Sequence, residues 1–108
     1  MKQLKKDVHN KFCGHWNQSS IEIGLAEYKE LLPTECLHSH PFSEYYVGVS
    51  GELDLEIEGI TYRLRPDECL MVEAGEKHQV TWVHPELGIK MLVIKERSEP
   101  NSKTIHTN

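Results

Sequence analysis

The 108-residue chain has no excess of basic residues: 12 Lys and Arg stand against 17 Asp and Glu, a formal net charge of −5. Nucleic-acid backbones and anionic membrane surfaces are bound through positive surfaces, so neither is expected as a partner. No stretch approaches the roughly 20 consecutive apolar residues of a membrane-spanning helix. The opening Met1 to Asp7 segment is basic, but His9, Asn10 and Lys11 interrupt any apolar core of a secretion signal, so a cytoplasmic location is expected. Cysteine is scarce and odd in number. Cys13, Cys36 and Cys69 form no Cys-x-x-Cys pair, which argues against a disulfide framework or a zinc ribbon and predicts free, mostly buried thiols. Internal repeats, low-complexity segments, a nucleophile elbow, a phosphate loop and a nucleotide fingerprint are all missing. Helical periodicity is almost absent. At this length one domain with one modest core is expected.

What is present is a rhythm of short alternating segments. Ile21, Ile23 and Leu25 share one face of a strand, and a run through Cys36, His38 and His40 stops at Pro41. Tyr45 to Val49 is rich in aromatic and β-branched residues, and Ser50-Gly51 breaks it. In Glu52 to Glu58, Leu53, Leu55 and Ile57 alternate with four acids. Glu58-Gly59 reads as a two-residue hairpin turn into a strand where Ile60, Tyr62 and Leu64 continue the inward pattern. Cys69 to Val72 reads as a short buried strand, and further strands follow from His78 and from Gly88. Short strands separated by turn signals predict an all-β sandwich or small antiparallel barrel with room for a ligand. The barrel is expected over residues 21–97. Residues 1–20 form an extension anchored by Phe12 and Trp16, and 98–108 a polar tail. His9, His15 and His106 are expected in solvent, and Arg63 and Arg65 in cross-strand pairs with the acids of the neighbouring strand.

Four residues carry the chemistry. Side chains alternate along a strand, so His38 and His40 face the same way. Glu44 keeps that parity beyond Pro41, and His78 can close the group from a neighbouring strand. Three imidazoles and a carboxylate suit one divalent transition metal, Zn, Fe, Mn, Ni or Cu alike, with positions left open for a small-molecule ligand. Glu44 is expected as a ligand and, swung off the metal, as a general base. Parity places Tyr46 on the side of Glu44, as a possible proton donor, and Trp82 on the side of His78. Tyr46, Trp82, Cys36 and Met91 are therefore the expected substrate pocket, with Tyr28 and Tyr62 as further wall. Each has a plainer role as packing, and the histidines a plainer one as ordinary barrel residues.

The segment from Glu35 to Gly51 resembles the first cupin motif, His-x-His-x3-Glu-x6-Gly, with His38, His40, Glu44 and Gly51 in register. Asp67 to His78 resembles the second, with Gly75 and His78 in place. Leu32 and Asp67 stand where the motifs have glycine, Glu73 where they have proline, and Trp82 where an asparagine is sometimes found. The resemblance implies a double-stranded β-helix, or jelly-roll barrel, and a homodimer, which the small core also favours. Three functions remain open: a metal-dependent isomerase, lyase, decarboxylase or dioxygenase acting on a small oxygenated metabolite; a ligand-binding or sensor module; and a structural barrel.

Overall fold

The computed structural model describes residues 1–107. Ten strands follow in order: β1 Lys11–Cys13, β2 Glu22–Tyr28, β3 His38–Ser39, β4 Glu44–Gly51, β5 Leu53–Ile57, β6 Ile60–Leu64, β7 Cys69–Val72, β8 His78–Val83, β9 Ile89–Lys95 and β10 Thr104–Ile105. They form two five-stranded sheets with orders β1-β2-β9-β4-β7 and β10-β3-β8-β5-β6, antiparallel throughout. The fold is a jelly-roll barrel, and its core lies between the sheets. Leu53, Leu55 and Ile57 from β5 meet Val80 and Val83 from β8 on one side, and Tyr46, Val72, Ile89 and Met91 on the other. Burying each aliphatic side chain contributes on the order of 1.5–3 kcal/mol.

Local chemistry sets the turns. Glu58 and Gly59 both take positive φ, 48° and 81°, the requirement of the tight hairpin that joins β5 to β6. Asp67 stands at φ 67°, a left-handed conformation that aspartate tolerates and that the glycine of the motif adopts freely. Gly51 has φ 75°, and a Cβ there would lie 1.9 Å from the Gly88 carbonyl oxygen, so no side chain fits where the two chain segments touch.

Several expectations are corrected. The stretches before β2 and after β9 are not wholly irregular, because β1 pairs with β2 and β10 pairs with β3. Trp16 is 43% exposed and lies over Gly14 instead of anchoring the extension in the core, whereas Cys13 is buried. Ile60 and Tyr62 do not continue the buried pattern of Leu64: β6 is the edge of its sheet, and they are exposed. Cys69 and Met71 are exposed too, so β7 is not a buried strand and Cys69 is not a buried thiol.

The largest correction concerns Trp82. Register across β5 and β8 runs Ile57–His78, Glu56–Gln79 and Leu55–Val80, then Asp54–Trp82 and Leu53–Val83. Thr81 is the extra residue of a β-bulge, which reverses the alternation beyond it. Val83 is buried and Trp82 turns to the outer face, beneath the Arg63 guanidinium, 4.4 Å from the ring centroid. Trp82 therefore does not line the interior.

Parity also fixes what the first sheet shows outside. Glu44, Tyr46 and Gly48 point inward, so Tyr45 and Val47 point out. Their cross-strand partners Ile94 and Leu92, and beyond them Ile23 and Leu25, continue the row. All six are half-buried, and the face they make is apolar.

Candidate metal centre

The site forms where β3, β4 and β8 approach. His38 ends up directly opposite His78 across the β3–β8 pair, with ring centroids 4.2 Å apart. His40 follows β3 and stacks on Phe42, centroids 5.2 Å apart, which fixes its ring plane. Glu44 opens β4 from the opposite sheet. One candidate ligand atom from each of His38, His40, Glu44 and His78 lies within 4.8 Å of the others. His40, Glu44 and His78 are 6%, 2% and 1% exposed, and His38 is half-buried. A carboxylate and three imidazoles so far from water need mutual compensation or a cation.

Hydrogen bonds orient the rings. The Cys36 carbonyl accepts from His38 Nδ1 at 2.8 Å, and the Glu76 carbonyl from His78 Nδ1 at 2.9 Å. A carbonyl only accepts, so both Nδ1 atoms carry the proton and both Nε2 atoms are left free to bind. His78 Nε2 then sits 2.6 Å from Glu44 Oε1, and His40 Nε2 lies 3.6 Å from the same oxygen. A lone pair and a carboxylate oxygen do not approach that closely, so a proton is shared between His78 and Glu44 here, and a metal ion would take that proton's place. The donor chemistry therefore fits a divalent transition metal.

Electrostatics favour the ligand form of His38, His40 and Glu44. Burial pushes the His38 pKa down to about 4, against the pull of the Cys36 carbonyl. Burial also lowers His40, opposed in part by Glu44. For Glu44, burial disfavours the charge, but the hydrogen bond and charge of His78, with His40 and Lys95 nearby, outweigh it and hold its pKa below the usual carboxylate value. Tyr46, inward on β4, donates its hydroxyl to Glu44 Oε1 at 3.2 Å, and burial followed by the Glu44 charge raises its pKa well above that of a free phenol. Tyr28 is pushed up to about 12 by burial and by Glu35.

The other pocket candidates fall in different places. Met91 is buried on the inner face of β9, opposite Gly48. Cys36 is half-buried in the loop before β3 and touches the site through its carbonyl. Tyr28 packs against the core, while Trp82 and Tyr62 do not line the interior. A cleft of about 470 Å³ lies under the 31–35 loop, lined by Leu31, Leu32, Pro33, Glu35 and Val80 among others, and none of the four donors lines it.

Several residues escaped the sequence reading. Glu35 Oε1 accepts the Val80 amide at 2.8 Å, satisfying β8 opposite the stretch that precedes β3. Lys95 faces inward opposite Glu44 and pairs with Glu22 at 3.3 Å. Ser102 Oγ meets His40 Nδ1 at 3.1 Å, and His106, expected in solvent, bonds Ser39 Oγ through Nε2 at 2.7 Å. Strand parity could have found Lys95. Nothing local marks the others.

Two facing antiparallel sheets with three imidazoles and a carboxylate converging between them define a small β-barrel protein with a donor set able to hold a metal ion. The chain belongs to the cupin domain family, whose match spans residues 29–95. It is similar to the tetracenomycin polyketide synthase protein TcmJ of Streptomyces glaucescens, 37% identical over 60 residues, 53% of this chain and 40% of that protein. The match thus spans less than half of that relative's length. A cupin protein of Bacteroides fragilis superposes with a TM-score of 0.67 at 21% identity, covering 99% of this chain and 93% of that one. Streptomyces PAC13 with uridine superposes with a TM-score of 0.73 at 13% identity, over 98% and 92%. These two structural likenesses bear on the fold.

Proposed function

We propose that the chain is a metal-dependent enzyme that moves a proton on a small oxygenated metabolite, with isomerase or lyase chemistry ahead of decarboxylase or dioxygenase chemistry. One observation carries this reading: the Tyr46 hydroxyl donates at 3.2 Å to Glu44 Oε1 inside the donor cluster. His38, His40 and His78 hold one Zn, Fe, Mn, Ni or Cu ion, with Glu44 as fourth ligand. Such an ion, when bound, polarises a chelating substrate oxygen as a Lewis acid. Tyr46 keeps its proton at neutral pH because its pKa is raised, so it serves as donor. Glu44 stays ionised because its pKa is held down, and its carboxylate receives the proton when it is swung off the metal. Met91, in the core cluster that also holds Tyr46, and Cys36, in the loop before His38, are the proposed pocket wall. Likeness to a polyketide synthase protein adds support, since polyketides are oxygenated molecules with enolisable carbons.

The test is solvent-proton exchange. Metal-loaded protein in D2O should place deuterium at the acidic carbon of one or more members of a panel of hydroxy ketones and β-keto acids, followed by NMR. Tyr46→Phe should keep its metal and slow exchange by about 10²–10⁴-fold. The double variant His38→Ala, His78→Ala should lose metal by elemental analysis. Stoichiometric metal and retained small-ligand binding, with no exchange across the panel, would replace this reading by that of a binding module.

The apolar outer face of β2, β9 and β4 supports a homodimer, with a second copy laid face to face on Leu25, Leu92 and Val47. A contiguous apolar sheet face that is only half-buried within the chain is characteristic of an interaction surface.

A further inference from the structure

We propose that Ser102 positions His40 for metal binding, and that residues 98–106 form a strap whose docking is coupled to the metal. The inference rests on the metal reading above. His38 and His78 each use a carbonyl two residues earlier in the chain to fix Nδ1. His40 has no such local partner. Its Nδ1 meets Ser102 Oγ, 62 residues downstream, at 3.1 Å. With the Nδ1 hydrogen donated to that hydroxyl, the Nε2 lone pair is the one left facing Glu44 and the other rings.

The backbone makes the same point. β3 carries His38 and leads directly into His40, yet it is two residues long and pairs with β8 only through His38–His78. Its other edge is covered by β10, with Thr104 opposite Ser39 and Ile105 opposite His38. The His106 amide donates to the Leu37 carbonyl at 2.9 Å, and its ring bonds Ser39 Oγ. The near end of the strap is pinned too. The Ser98 amide donates to the Ser20 carbonyl at 3.1 Å, and Ser98 Oγ accepts the His15 amide at 2.8 Å. Anchored at both ends, the strap holds the short strand and the ring of one ligand together. All of it lies beyond residue 95, where the family match ends.

By linkage, whatever strap docking adds to metal affinity, metal adds to docking. Loss of an outer partner to a ligating histidine weakens metal affinity by about 10–100-fold. In the full chain titrated with Co²⁺ as a spectroscopic probe, Ser102→Ala should bind about 10-fold more weakly with shifted visible bands, and Ser102→Thr should restore both. Amide hydrogen exchange in Thr104 to His106 should slow on adding Co²⁺ to the wild type, and slow less in Ser102→Ala. Wild-type affinity and spectrum in Ser102→Ala would overturn the proposal, even if the strap exchanged faster, because that result would leave the serine a purely structural role. A wild-type chain that binds no Co²⁺, with His40→Ala indistinguishable from it, would overturn the metal reading and this inference together.

Discussion

On the sheet β1-β2-β9-β4-β7 the outward row reads Ile23, Leu25, Leu92, Ile94, Tyr45 and Val47, whereas on β5, β6 and β8 of the other sheet it reads Asp54, Glu56, Arg63, Gln79 and Trp82. Both sheets bury the same kind of inner face. The second meets water with cross-strand ion pairs, Arg63 bound to both oxygens of Asp54 at 2.8 and 3.2 Å. The first offers these six apolar groups, and charge enters the face only at the Glu27–Lys90 pair toward one end of β2 and β9. A sheet packed on one side alternates apolar and polar residues, while one covered on both sides does not. The difference is what the proposed dimer rests on: the first sheet's outer row has the pattern of a face covered on both sides. The site divides along the same line: the imidazoles come from the second sheet and its flank, the carboxylate from the first.

The largest effect should come from breaking the apolar side of this contrast. Leu92→Asp places a charge in the middle of the face and should raise the dimer dissociation constant by at least about 30-fold, the scale of a central interface residue. Sedimentation equilibrium decides it, and a wild-type chain that sediments as a monomer at micromolar concentration would remove the dimer altogether. Acid should give a smaller, graded effect on the imidazole side. His38 takes a proton near 6.5 in an unfolded chain but only near about 4 when folded, so the unfolded state binds more protons between those values. This part of the stability is whole above pH 6.5 and is lost as pH falls toward about 4. Glu44, with its folded pKa lowered, adds a further loss as pH drops through and below the ordinary carboxylate range. The melting temperature of metal-free protein should therefore fall steadily from pH 7 to pH 4, and a flat profile would contradict the burial of these groups. Arg63→Ala should matter least, because exposed ion pairs contribute little. Tm should move by no more than a few degrees, while Trp82 fluorescence shifts to the red as its cover is lost.

Much of this was legible in the residues. Leu53, Leu55 and Ile57 alternate without interruption and lie in the core, and Glu58-Gly59 supplies the turn their hairpin needs. The four donors could be picked out because same-face spacing and a glycine-marked turn survive in one dimension. What could not be read depends on neighbours. Ile60 and Tyr62 have an inward pattern but belong to an edge strand, so pattern alone promised a burial that position denies. β1 and β10 are three and two residues long, too short for periodicity to register. Ser102 and Glu35 owe their roles to contacts 62 and 45 residues away.

Thr81 has a consequence of its own. One inserted residue works as a phase slip, so the half of β8 that aims His78 and the half that seats Val83 follow separate alternations. Substitutions at the far end can then be accommodated without rotating the ligand out of line. Were Thr81 drawn into the ladder as an ordinary paired residue, the indole would swing into the space of a valine while the imidazole stayed where it was.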